Sequence, residues 1–306
     1  MLFALKSLGL YHIQNSYLMG GMHSEFEDYQ YECGWRLGQW NLLATENSKK
    51  LNYNKTDNSN GLQSLIVKEG YEKYHYLALK ALHDLDFAGT ERAVTKARKC
   101  VIDSLAHASL ECSKNLYHAL SQLQALQEIE DFVPAWQSGE AANMEAAVDK
   151  WKKQCCLTVS EFQYMEPILV QRGALLCNAA LTEKNDEMKQ HLVKYLAEIQ
   201  LNTAKLARTE GWHHVGMRCL HMLSQVGRLS SVVNGRLKLE EAQLSWGRGV
   251  YEVGRPILRS LIGVLSSIGN ESHEMRLLYS SALTLYGNWM AETRSENSQV
   301  KFVVPF

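Results

Sequence analysis

The sequence predicts an all-α fold, an α-solenoid of antiparallel, tetratricopeptide-like (TPR-like) helical hairpins. Apolar residues recur with a 3.6-residue period in successive segments of about 15–25 residues, separated by short polar breaks, as in stacked helix pairs. The chain has 4 prolines in 306 residues, and Val, Ile and Thr dominate no long run, which argues against a sandwich or barrel. With 46% hydrophobic and 21% charged residues it has apolar side chains enough for a sizeable core. No strict period of about 34 residues is visible, so any repeats are degenerate.

In chain order the pattern gives helices over residues 3–20, 25–44, 60–68, 71–85, 89–111, 114–134, 141–157, 161–181, 186–208, 213–226, 236–248, 252–268 and 272–294. The one strongly polar interruption is TENSKKLNYNKTDNSN at 45–60, which reads as an exposed loop or insert. Ser113 is placed to cap a helix carrying the stripe Leu116, Leu120, Leu123 and Leu126. Ser160-Glu-Phe-Gln163 reads as a capping box, and Pro167 kinks the helix it opens unless it falls in the first turn. Asn185 caps the next helix, where Met188, Leu192, Tyr195, Leu196, Ile199 and Leu206 form the buried face.

The balance of 32 basic against 33 acidic residues leaves a formal charge of -1, so no global field draws the chain to nucleic acid or an anionic membrane. The basic group Arg92, Lys96, Arg98 and Lys99 is interrupted by Glu91 and Asp103 and reads as a solvated helix face. The 7 cysteines include no C-x-x-C pair, the pattern of an intracellular reducing compartment. No run reaches the ~18 apolar residues of a membrane span.

Candidate chemistry is sparse. His213, His214 and His221 do not converge with a carboxylate or cysteine at ligand spacing. Gly247, Gly249 and Gly254 in GRGVYEVG fit no phosphate-binding pattern and read as a helix-helix turn. Asp86-Phe87-Ala88-Gly89 imitates a kinase D-F-G without its companion motifs. Ser121, Ser224 and Ser298 each precede Gln, a number close to chance. No catalytic, cofactor-binding or metal-ligating residue is assigned. Trp35, Trp40, Leu239, Ala242, Trp246, Leu285, Trp289 and Met290 are assigned to packing. Trp289, with Leu285 and Tyr286 a turn before it, serves as a large knob between helices, and Trp246 serves similarly beside Ala242.

Several stretches carry a family resemblance: LKSLGLYHIQNSYL (5–18), the Trp-Arg-x-x-x-Trp of YECGWRLGQW (31–40), LSQLQALQEIE (120–130), FQYMEPI (162–168), LKLEEAQLSW (237–246) and YGNWMAET (286–293). In order and spacing they resemble the FAT domain of the ataxia-telangiectasia mutated kinases, a branch of the phosphatidylinositol 3-kinase-related protein kinases. The resemblance covers about residues 4–297, giving a FAT-type helical-repeat domain over 1–297 and a divergent tail over 298–306. It implies a solenoid that wraps and regulates a serine/threonine kinase domain absent from this chain. That kinase phosphorylates Ser/Thr-Gln sites in the nucleus after DNA damage, with ATP and Mg bound by the kinase domain. The implied partners are that domain, neighbouring repeats, a second copy in a homodimer and regulatory proteins, with no direct nucleic acid and no membrane. The tail QVKFVVPF departs from the family pattern, and a fragment is expected. A free-standing helical-repeat adaptor that binds a partner peptide is the alternative, disfavoured because both ends read as uncapped.

Overall fold

A computed structural model describes residues 1–20, 26–42, 70–107, 113–155, 161–226, 229–268 and 272–293. Among them are 13 α-helices and no strand. The chain divides into two compact units, Met1–Ile199 and Gln200–Phe306. The first contains α1 (Leu2–Ser7), α2 (Tyr11–Gly20), α3 (Glu27–Leu37), α4 (Tyr71–His83), α5 (Phe87–Ala106), α6 (Ser113–Gln137), α7 (Ala141–Cys155) and α8 (Phe162–Thr182). The division falls within α9 (Asp186–Thr209). The second unit continues with α10 (His213–Gln225), α11 (Ser231–Gly247), α12 (Tyr251–Ile268) and α13 (His273–Thr293). From α1 to α7 and from α10 to α13 consecutive helices pack as neighbours, and α8 packs on α3, α4 and α6. The expected helix at 60–68, the polar stretch 45–60 and the tail 298–306 lie outside the described residues.

The helix ends follow local chemistry. The expected helix over 3–20 is two helices, because Gly9 takes φ 70° and its amide and that of Leu10 turn back to the Lys6 and Leu5 carbonyls. This paired-bond stop recurs at Gly38, Gly211 and Gly249, where a positive φ suits glycine. α4 ends in the same way with Leu85 at φ 60°: the Asp86 amide bonds the Ala81 carbonyl and the Leu85 amide that of Leu82. Asp86 then caps α5, its Oδ1 accepting the Gly89 amide at 2.8 Å, so the D-F-G look-alike is a helix start. Asn185 Oδ1 accepts from the Glu187 amide at the start of α9.

Some expected registers shift. Helix α11 begins at Ser231, five residues before the expected 236, because Ser230 Oγ accepts the Val233 amide and overrides the weak helix preference of Val232 and Val233. Helix α8 takes Glu161 as its N-cap residue without a side-chain bond, and Gln163 donates to the Glu161 carboxylate; Ser160 lies outside the described residues. Pro167 therefore sits beyond the first turn, inside a helix that continues to Thr182.

Two expected buried faces each carry an exposed leucine. Leu120 is 56% exposed; Leu126 of the expected stripe is buried, and the buried face of α6 continues through Ile129 and Phe132. In α9, Met188, Leu192, Tyr195, Leu196 and Ile199 are buried, but Leu206 is 37% exposed. The last turns of α9 bury Thr203, Ala204 and Ala207, small side chains that let α10 approach: a Cβ at Gly216 would lie 3.4 Å from the Ala204 carbonyl.

Candidate functional site

In the first unit the polar groups converge on α8. Its sequence, FQYMEPILVQRGALLCNAALT, is apolar around most of its circumference, and such a helix is buried on several sides. Glu166, Gln171 and Arg172 within that run are carried into the interior, and each of the three finds a partner on another helix. Glu166 receives a two-pronged bond from Arg36 of α3, Nη1 to Oε1 at 2.6 Å and Nη2 to Oε2 at 2.8 Å. Gln171 meets His75 of α4, Nε2 to Oε1 at 2.5 Å, and donates to the Ala125 carbonyl of α6 at 2.8 Å. Arg172 grips Glu128 of α6 at 2.8 Å and 2.6 Å, and Gln124 donates to the same carboxylate.

The network continues toward the amino terminus. Arg36 lies 3.2 Å from Glu32 one turn earlier, and Glu32 also receives Lys6 of α1 at 2.7 Å. The Tyr11 ring covers the Arg36 guanidinium with 4.4 Å from Cζ to the ring centroid. Burial opposes the Arg36 charge, but its anionic surroundings, Glu166 foremost, outweigh that and hold its pKa well above the usual value. Burial pushes the Glu128 carboxyl up, with the Arg172 bonds pulling the other way.

His75 is buried, edge-on to Trp35 and stacked on Tyr71. Burial lowers its pKa from 6.5 to about 4, against the opposing bond to Gln171. The folded chain thus binds fewer protons at this ring than the unfolded chain. Stability contributed here is complete above pH 6.5 and is lost as pH falls toward about 4. The gap in unfolding free energy between wild type and His75→Gln is therefore expected to narrow from pH 7 to pH 4. A gap that stays constant in urea titrations at both pH values would contradict this.

The residues assigned to packing fall in both units. Trp35 is 3% exposed, and half-buried Trp40 stacks on His83 with centroids 5.3 Å apart. In the second unit, Ala242 and Trp289 belong to a buried cluster with Leu258, Leu261, Leu278 and Ala282, against which Leu239, Trp246 and Leu285 pack half-buried. Trp246 and Trp289 lie face to face, centroids 4.0 Å apart and planes 1° from parallel. Met290 is half-buried on the same helix as Trp289. Gly249, at φ 77°, ends α11, and Gly254 brings α12 close enough that a Cβ would stand 3.0 Å from the Ala242 carbonyl. The Glu240 carboxylate ties α11 to Arg208 of α9 at 2.6 Å.

Sequence reasoning missed Glu32, Arg36, His75, Glu128, Glu166, Gln171 and Arg172. Their signal was present: Arg36, Glu128 and Glu166 stand inside three of the stretches that carried the family resemblance. Among the described residues no group of three or more His, Cys, Asp and Glu side chains could hold a metal ion. No described helix is long and apolar enough to cross a membrane. Ser121 donates to the Tyr164 carbonyl at 2.7 Å, so its hydroxyl is engaged in joining α6 to α8.

Helices packed side by side and joined by internal ion pairs define an all-α helical protein. The FAT domain family model matches residues 27–302, and the chain belongs to that family. It is 29% identical to a serine-protein kinase ATM of Sus scrofa over 97% of this chain and 10% of the relative. It is 24% identical to a serine/threonine-protein kinase ATM of Drosophila melanogaster over 74% of the chain and 8% of that protein. With the serine/threonine-protein kinase ATM of Arabidopsis thaliana the identity is 22%, over 97% of the chain and 8% of the relative. The chain thus spans about a tenth or less of the length of these kinases.

Proposed function

We propose that this FAT segment is a helical scaffold that supports and regulates the kinase domain of an ATM-like, nuclear serine/threonine kinase of the DNA-damage response. The observation that carries the reading is the family match over residues 27–302 together with relatives that are ATM kinases. The buried pairs of α8 supply a physical means. Helices tied by directional, desolvated bonds move as bodies rather than deforming, so a load at one hairpin reaches another and shifts the balance of active-site states. ATP and Mg belong to the kinase domain in this reading, and this segment's contacts are with that domain, neighbouring repeats, a second copy and regulatory proteins.

The test is made in a full-length kinase carrying this segment. Glu166→Gln, which weakens the grip of α8 on α3, is expected to change the rate of phosphorylation of a Ser-Gln peptide by about fivefold or more, the scale of an ordinary coupling energy. The KM for ATP is expected to stay the same, because the segment lies outside the nucleotide site. An unchanged rate in an enzyme whose FAT segment is measurably destabilised would overturn the scaffold reading.

A further inference from the structure

Helices α10, α11 and α12 of the second unit border an open cleft of about 390 Å³. Its floor is apolar, formed by Leu220, Leu237 and Leu244, and its walls carry exposed Met217, Val250 and Val253. Met217, Leu220, His221 and Ser224 lie at the spacing of one face of α10, and Leu237, Glu241, Leu244 and Arg248 do so on α11. Two helix faces thus border one furrow, the geometry that receives the apolar edge of a third helix.

The rim is electrically unequal. Lys238 is neutralised by Glu241 at 2.7 Å. Arg248 has no carboxylate partner among the described residues, and its Nη1 rests on the Met217 thioether across the furrow. A guanidinium placed beside apolar walls and left without a counter-ion favours a carboxylate brought by a ligand. We infer that this cleft docks an amphipathic helical peptide of another protein, with leucine-type side chains on the floor and a Glu or Asp over Arg248. The inference concerns a surface of the segment itself and does not depend on whether the segment regulates a kinase domain.

The probe is a fluorescein-labelled helical peptide with Leu at i, i+3 and i+7 and Glu at the flanking positions, titrated with the whole chain by fluorescence anisotropy. A lysine-flanked copy is run beside it. The Glu peptide is expected to bind at least about tenfold tighter than the Lys peptide, and Arg248→Glu is expected to remove that preference. Val253→Asp changes an exposed wall position, so the fold should survive it, and it is expected to weaken the Glu peptide by about tenfold. Unchanged melting curves for both variants establish that the loss is local. No binding up to about 1 mM, equal affinity for the two peptides, or indifference to Arg248→Glu would overturn the proposal. So would sedimentation showing that Val253→Asp dissolves a dimer of this chain, which would give the cleft to a second copy.

Discussion

Glu166→Leu is expected to lower the unfolding free energy of the first unit by about 3–5 kcal/mol, the usual cost of removing one partner of a buried ion pair. The Arg36 side chain is 1% exposed and that of Glu166 4% exposed. Deleting the carboxylate strands a guanidinium that cannot reach water, and Glu32 at 3.2 Å is already shared with Lys6. The size of the effect therefore reflects an orphaned charge more than the intrinsic worth of the bond. A double-mutant cycle separates the two: Arg36→Met together with Glu166→Leu should cost much less than the sum of the single changes. Urea midpoints at pH 7 provide the measurement. A single-mutant loss below about 1 kcal/mol would mean that the pair is solvated, as surface pairs are.

This pair marks where sequence reading ran out. Helices with one wet and one dry face announce themselves by periodicity, which is why α9 and α12 were placed within a few residues. The helix-helix turn at Gly249 was legible in GRGVYEVG, and there the positive φ leaves few alternatives to glycine. Arg36 and Glu166 are different: they stand 130 positions apart, and nothing local distinguishes a buried charge from a solvated one. The readable hint was that α8 has scarcely a polar face, so a Glu, a Gln and an Arg within it had to enter the interior with it. The straight leucine stripes failed for a related reason, since what buries Leu126 and exposes Leu120 is the position of the facing helices. In the second unit the tryptophans were recognisable as large packing groups, but that two of them meet each other is a property of the register of α11 against α13.

Trp289→Ala is expected to cost about 3–5 kcal/mol, toward the upper end of that range. The indole is 3% exposed and belongs to a buried cluster that includes Ala242 and Ala282, both fully buried. Alanines have no rotamers with which to fill a void, so the cavity collapses little and the penalty for lost contacts is kept. Removing the partner ring is a different experiment. Trp246 is only half-buried, so part of the space vacated in Trp246→Ala opens to solvent and the loss should be clearly smaller. The melting temperature is expected to drop by at least about 6 °C in Trp289→Ala. If only Trp289→Ala melts much earlier, the stack is a consequence of packing and the buried ring beneath it is what holds α13 to α11. Equal losses of stability in the two variants would instead assign the energy to the ring-ring contact.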